Sequence, residues 1–458
     1  MTRPVHRVAP RTDGPIRQDS LRAHNLDLTF RQIADARDAP ISRSELAAAT
    51  GLTRPTITRI VDELLAAELI VEAGPSRSGG SGRPRVGLSL ARTGPAGLGL
   101  DIRADVLSAA VVDLTGTVRH LEFAPHPQAP HPQAPHPQAP HPQAPHPQAP
   151  HPQAPHPQAP RPQAPHPRTG PGAVLAALAA MADRAVRAAA AENLTVVGAT
   201  LAVPGPVQDD TVVRRAPALG WHDVDAGAAL SALLDLPVHI GNDARLAALA
   251  EWYAAGRELR DFVCVSGEFD IGAGLVLGGT QLDGWSGELG HVMVRSDGPP
   301  CACGATGCLQ SFAGLTSILA GSDTAGSHET GCHETGAQGT GSHETGRSPA
   351  VTVDALVSAG DPRILKALDD AATALGIALA GLINLVKVDT VLLGGGYALL
   401  ASWLIDGIDR ELRRRVLSTA WSPVEVRPAP LGPDAAVIGA ALSAVDRVRR
   451  DPNRWLHR

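Results

Sequence analysis

Glu288-Leu289-Gly290-His291, followed by Cys301-Ala302-Cys303-Gly304-Ala305-Thr306-Gly307-Cys308, places a carboxylate, an imidazole and three thiols in one short segment. His291, Cys301, Cys303 and Cys308 make a complete tetrahedral set for one structural Zn2+ per chain, with no position left for water. Gly304 and Gly307 would let the backbone fold around the ion. A Cys301–Cys303 disulfide would be badly strained. The competing explanation is three unmetallated thiols beside a coincidental histidine. Glu288 then remains free for another partner, and so does the second nitrogen of His291. Asn242-Asp243 falls between a strand and a helix over 244–255. Taken alone, that pair could be a plain helix cap, and Glu288 alone could be a solvated carboxylate. Together, Asn242, Asp243, Glu288 and His291 offer the amide, carboxylate and imidazole groups that exchange hydrogen bonds with sugar hydroxyls.

These residues need a frame. From about residue 95 the chain alternates strands and helices, which points to an α/β fold. A hairpin is expected from Gly97-Leu98-Gly99-Leu100-Asp101-Ile102 and the run 106–113. Further strands are expected at 196–203, 238–240, 262–265, 274–277 and 390–393, the last leading into Gly394-Gly395-Gly396. Two segments interrupt the alternation. Residues 126–165 repeat His-Pro-Gln-Ala-Pro, a composition that forbids helix and sheet ladders. Residues 326–346 repeat a Gly, His, Glu and Thr unit that includes Cys332. Disordered inserts are therefore expected at 124–169 and 322–349, looped out of one domain spanning 95–450.

The N-terminal part reads differently. After a tail over 1–23 expected to be disordered, residues 24–92 read as a winged helix-turn-helix. Asn25 is placed to cap a first helix. Ser42 starts a second, Gly51 permits the sharp turn, and Thr53 caps a third with Pro55 in its first turn. The third helix buries Ile57, Ile60, Val61 and Leu64. Thr53, Arg54, Pro55, Thr56, Thr58 and Arg59 are left for the major groove. Asp62 and Glu63 fit near the groove's rim. Two strands enclose a Gly/Ser/Arg loop read as a wing, with Arg83 and Arg85 suited to a minor groove. The alternative for this segment is a small helical oligomerisation module.

The net charge of −6 carries no overall nucleic-acid signature, so DNA binding must be local to this head. A chain of 458 residues implies two or three domains. No secretory signal and no apolar run of membrane-spanning length is expected, and three clustered cysteines fit a reducing compartment, so the expected location is the cytoplasm.

The Glu-x-Gly-His motif and the His-x9-Cys-x-Cys-x4-Cys spacing, with Val203-Pro204-Gly205-Pro206-Val207, Asn242-Asp243-Ala244, Gly394-Gly395-Gly396 and the run 435–441, are carried by residues 24–450 apart from the inserts. The chain thereby resembles the ROK family of repressors, open reading frames and sugar kinases. It resembles most the winged-helix regulators of that family, which include xylose- and N-acetylglucosamine-responsive repressors. The resemblance implies a multidomain architecture: an N-terminal winged helix-turn-helix and a two-lobed, actin-like (ribonuclease H-like) sugar-kinase domain with a cleft. It implies sugar contacts at Asn242, Asp243, Glu288, His291 and Gln310, the kinase base position at Asp243, and zinc ligation by His291, Cys301, Cys303 and Cys308. Three departures stand out. Asp101 is followed by Ile102-Arg103-Ala104-Asp105 where the kinases carry a phosphate-cradling Gly-Gly-Thr loop. Glu268-Phe269-Asp270-Ile271-Gly272 replaces a second glycine-rich loop. Gln310 replaces a glutamate. Phosphoryl transfer depends on positioning and charge neutralisation, so these changes argue against catalysis. The expected function is a sugar-responsive transcriptional regulator, a homodimer or homotetramer on double-stranded operator DNA, with no membrane insertion. The competing readings are an ATP-dependent sugar kinase with a fused DNA-binding head, and a repressor controlled by protein sequestration.

Overall fold

In a computed structural model of the chain, residues 18–36, 39–76, 85–103, 105–127, 170–267, 270–282, 287–323 and 349–456 are described. The N-terminal head comprises α1 (Gln18–Asp35), β1 (Ile41–Ser42), α2 (Arg43–Thr50), α3 (Arg54–Ala66), β2 (Ile70–Ser76) and β3 (Arg85–Leu90), with strand order β1-β3-β2. The turn chemistry is as the residues require. Ser42 and Glu45 form a reciprocal capping box, Gly51 closes α2 at φ 72°, and the Thr53 hydroxyl accepts from the Thr56 N–H with Pro55 in the first turn of α3. Asn25 is a correction. It lies inside α1, which starts at Gln18, and its carbonyl accepts from the Thr29 hydroxyl. The helix therefore also reaches into the tail expected to be disordered.

The first lobe runs through β4 (Gly94–Ile102), β5 (Val106–Asp113), β6 (Val118–Pro125), α4 (Pro171–Ala191), β7 (Leu194–Val203), β8 (Val207–Gln208), β9 (Val212–Ala216), β10 (Trp221–Asp225), α5 (Ala226–Leu234), β11 (Val238–Asn242) and α6 (Asp243–Ala254). Its main sheet has the order β11-β7-β4-β5-β6, with β11, β7 and β4 parallel. The second lobe runs through β12 (Phe262–Gly267), β13 (Ile271–Leu277), β14 (Thr280–Gln281), α7 (Gln310–Ala313), α8 (Leu315–Asp323), α9 (Pro349–Ser358), α10 (Pro362–Leu385), β15 (Thr390–Gly395), α11 (Gly396–Leu399), α12 (Ala401–Arg415) and β16 (Glu425–Pro428). Its sheet has the order β14-β13-β12-β15-β16. Helices α13 (Ala435–Arg450) and α14 (Asn453–Leu456) end the chain.

Strand β6 continues through Pro125, α8 continues to Asp323, and α9 starts at Pro349, each a residue or two inside the segments 124–169 and 322–349. The repeats beyond Pro127, Cys332 and the wing residue Arg83 lie outside the described residues. Helix α10 is a further correction: by length and composition it is apolar enough to cross a membrane. Here Leu368, Leu375 and Leu379 bury it in the core of the second lobe.

Helix α13 joins everything that follows. Its small residues lie on β4 so closely that a Cβ on Gly97 would meet the Ala441 carbonyl at 2.1 Å, and one on Gly99 would meet the Val437 carbonyl at 2.1 Å. Its later turns enter the core of the head, where Val445 and Val448 pack with Phe30, Ile60, Leu64 and Leu88. The Trp455 indole N–H donates to the Ala67 carbonyl at 2.8 Å, and Arg257 pairs with Asp35 at 3.6 Å. One helix thus runs from the lobes into the N-terminal head.

Candidate sugar cleft and metal cluster

After β13 the chain makes a 3-10 turn at Leu289–His291 and then a tight loop. Isolated bridges Met293–Cys308 and Pro300–Thr306 fold this loop back on itself, and the Cys301 N–H donates to the Ala305 carbonyl at 2.8 Å. Gly307 takes φ 71°, and a Cβ there would meet the Arg295 carbonyl oxygen at 1.6 Å. The result brings His291, Cys301, Cys303 and Cys308 together with all four donor atoms within 4.8 Å of one another. His291 Nδ1 lies 3.7 Å from Cys301 Sγ, and Cys303 Sγ lies 3.7 Å from Cys308 Sγ. The four residues could hold a metal ion. Arg215 of the first lobe donates to the Ala302 carbonyl at 3.2 Å and ties the loop across the cleft.

Asn242 ends β11 and caps α6. Its Oδ1 accepts from the Arg245 N–H at 3.0 Å and its Nδ2 donates to the Gly205 carbonyl at 3.2 Å. Capping and cleft placement therefore coexist in one side chain. Asp243 opens α6, accepts from the Ala244 N–H at 2.7 Å, and sits where burial, then Asp101, hold its carboxyl well above the usual range. Asp270 and Glu288 add to that effect. Both of those carboxyls are themselves raised by burial and eased by His291. The structure thus brings Asp243, Glu288 and His291 into one electrostatic cluster, and adds Asp101 and Asp270. The Gln310 Oε1 accepts the Ile271 N–H at 2.7 Å and so ties this side chain to the start of β13.

The residue that sequence reasoning undervalued is Arg103. It folds inward to Asp101 at 3.5 Å, to Asp434 at 3.7 Å and to the Pro433 carbonyl at 3.4 Å. Its guanidinium also stands over the Phe123 ring at 5.8 Å. Burial pushes Asp101 up to about 6 despite this cation. The space left among Asp101, Arg103, Asp243, Ser266, Gly395 and Pro433 is about 20 Å³, room for about one water. A cavity of about 410 Å³ opens elsewhere, past Asn242 and Glu288.

In the head, Thr53, Arg54, Pro55, Thr58 and Arg59 are exposed and Thr56 is half-buried. The Thr58 hydroxyl donates to the Arg54 carbonyl at 3.0 Å, and the Thr53 and Thr56 hydroxyls share a 2.8 Å bond. Asp62 and Glu63 are neutralised by Arg43 at 3.6 Å and Arg22 at 3.0 Å. Arg85 begins β3 at the wing.

Comparison with known proteins matches both halves. The ROK family profile covers residues 158–447, and a winged helix-turn-helix DNA-binding profile covers 28–71. The chain is 22% identical over 431 residues to the xylose repressor of Bacillus subtilis (strain 168), covering 92% of this chain and 95% of that one. It is 31% identical over 249 residues to the glucokinase of Halalkalibacterium halodurans, covering 53% of this chain and 74% of that one. The crystal structure of a ROK family transcriptional regulator, a homolog of E. coli MLC protein, superimposes with a TM-score of 0.70 at 23% identity, covering 96% of this chain and all of that one.

Proposed function

The chain belongs to the ROK family, and from that premise we propose that it is a DNA-binding transcriptional repressor of carbohydrate-utilisation genes whose operator affinity is set by a sugar in the interlobe cleft. The observation that carries this reading is α13, one helix that lies on β4 beside the cleft and ends in the core of the head. A ligand that closes the lobes by binding Asn242, Asp243, Glu288 and His291 would move α13 and with it the two heads of a dimer. Likeness to the xylose repressor along nearly the whole chain supports the same reading. Arg54, Thr56 and Arg59 would meet base edges and phosphates, with Thr53, Pro55 and Thr58 shaping the helix start and Arg83 and Arg85 on the wing. Gln310 would position β13 rather than hold the sugar by charge. The protein would act in the cytoplasm, as a homodimer or homotetramer on a pseudo-palindromic operator.

Two features support a sensor without phosphoryl transfer. Arg103 fills the space beside Asp101 where the kinases carry a phosphate-cradling Gly-Gly-Thr loop, and Asp270 sets a carboxyl in the second loop where a nucleotide's phosphates would need cations or glycine N–H groups. Asp243 is then the former base position. The metal we assign is zinc, held by His291, Cys301, Cys303 and Cys308. Tetrahedral ligation at a Zn–S length of about 2.3 Å sets sulfurs about 3.7–3.8 Å apart, which the Cys303–Cys308 separation of 3.7 Å meets. Bound there, zinc would supply structural cross-linking of the loop and orient His291 toward the cleft.

The test is fluorescence anisotropy of the full chain on duplex DNA from the gene's own upstream region, with a panel of pentoses and hexoses, alongside an ADP-release assay. One sugar is expected to weaken operator binding about 5- to 150-fold, with no turnover of any sugar. Turnover that disappears in Asp243→Asn would instead establish the kinase reading. DNA binding insensitive to every sugar would favour control by a protein partner.

A further inference from the structure

The cavity of about 410 Å³ lies beside the proposed sugar residues, with Asn242 and Glu288 on its rim. Its size falls within the range of about 300–1,000 Å³ that encloses small organic ligands. Its far walls are the β8–β9 turn and the last turns of α13. Asp209 and Asp210, both at positive φ, form that turn. The Ile240 N–H fixes it to β11 by donating to the Asp210 carbonyl at 2.7 Å. Opposite stands Arg447. Among the described residues its guanidinium makes one hydrogen bond, to Thr200 Oγ1 at 3.3 Å, and no ion pair within 4.0 Å. Most of its five donors are left over. Burial lowers its pKa to about 10, and the negative charge of Asp210 partly offsets this.

The remaining charges on the walls are already engaged. Asp446 receives the Tyr253 hydroxyl at 2.6 Å and Arg450 at 2.9 Å, with Arg449 at 3.8 Å. Asp209 accepts from Gln208 at 3.0 Å. Arg245, in the first turn of α6, has its own interactions and carries its carbonyl to Gln281 at 2.5 Å. What is left is a donor, Arg447, and an acceptor, Asp210, that feel each other without touching. A free anion would be drawn to Arg447 but repelled by Asp210. A group with hydroxyls that both donate and accept satisfies the two at once.

We propose that this cavity receives a second sugar ring, so that the effector is a disaccharide or glycoside whose first ring is held at Asn242 and Glu288 and whose second bridges Arg447 and Asp210. This rests on the cleft being a sugar site. The assignment makes the effector larger than a monosaccharide and places its distinguishing contact on α13, three residues before the end of that helix.

Isothermal titration calorimetry of the full, metal-loaded chain tests it with cellobiose, maltose, lactose, sucrose and xylobiose against glucose, galactose, fructose and xylose, and with glucose 6-phosphate as an anionic probe. At least one disaccharide should bind tenfold or more tighter than its constituent monosaccharides. Arg447→Met and Asp210→Asn should each remove most of that gain and leave monosaccharide affinity within about twofold. Monosaccharides binding as tightly as every disaccharide would overturn the second-ring site and leave the cleft reading intact. So would a preference for glucose 6-phosphate that depends on Arg447, which would make the cavity an anion site. Should no sugar bind at all while operator binding persists, the cleft reading would fall, and this one with it.

Discussion

Cys303→Ser is expected to release the metal and to silence the response to sugar while leaving operator binding near its wild-type level. The reason is the division of the structure. The four ligands come from the 3-10 turn, the 301–303 loop and Cys308 two residues before α7, and no disulfide joins these pieces among the described residues. A structural zinc site of this type contributes roughly 10–16 kcal/mol of apparent binding free energy at neutral pH, which without the ion is not available to hold the loop. Loss of the loop frees His291 and Glu288 and removes the base from which Gln310 accepts the Ile271 N–H. Sugar affinity should fall at least 10- to 100-fold. The core of the head contains none of these residues; it is built from α1, α2, α3, β2, β3 and the end of α13. Elemental analysis, calorimetry and anisotropy on the same preparation check this. A metal-free protein that still binds and answers sugar would remove the cluster from the account.

Arg59→Ala is expected to weaken operator binding by about 5- to 150-fold, the consequence of losing one base-reading arginine worth about 1–3 kcal/mol. The side chain is exposed on the face of α3 opposite the buried Ile57, Ile60, Val61 and Leu64, so the protein should fold as before. Thr58→Ala is the matched control. That hydroxyl is spent on the Arg54 carbonyl, and its removal should change affinity little. Thr53→Ala should act differently again. It removes the cap of α3 and should cost stability of about 1 kcal/mol, with DNA affinity falling only as the helix start frays. Salt titration separates the roles, since a phosphate contact lowers the salt slope and a base contact lowers discrimination against mutated operators. If Arg59→Ala binds DNA as wild type while Thr58→Ala does not, the recognition face has been placed on the wrong side of α3.

Much of this architecture is legible in the residues because the signals are local. Ser42 with Glu45, Gly51, and Thr53 with Pro55 each specify a cap or turn within a few positions, and all three occur where expected. The His and Cys spacing is equally local, and the four donors converge. What could not be read depends on contacts between distant segments. Asn25 has the chemistry of a cap, but α1 runs past it to Gln18, and the Asn25 carbonyl accepts the Thr29 hydroxyl within the helix. That Gln310 also braces β13 through the Ile271 N–H is visible only once α7 and β13 are seen side by side. Arg103 seems only to replace a glycine. Its inward fold requires Pro433 and Asp434, 330 residues along the chain in the case of Pro433. Gly97 and Gly99 fall in an expected strand, but the close approach of α13 that leaves no room for a side chain there comes from a segment more than 330 residues away.

The central claim is that cleft and head are coupled through α13, and reciprocity tests it most directly. Coupling between two sites must appear equally from either side. The measurement is the dissociation constant of the active sugar, by calorimetry, for the full chain alone and saturated with operator duplex. The account predicts that operator weakens sugar binding by the same factor by which sugar weakens operator binding, about 5- to 150-fold. Equal sugar affinity in the two states would contradict it, however tightly either ligand binds.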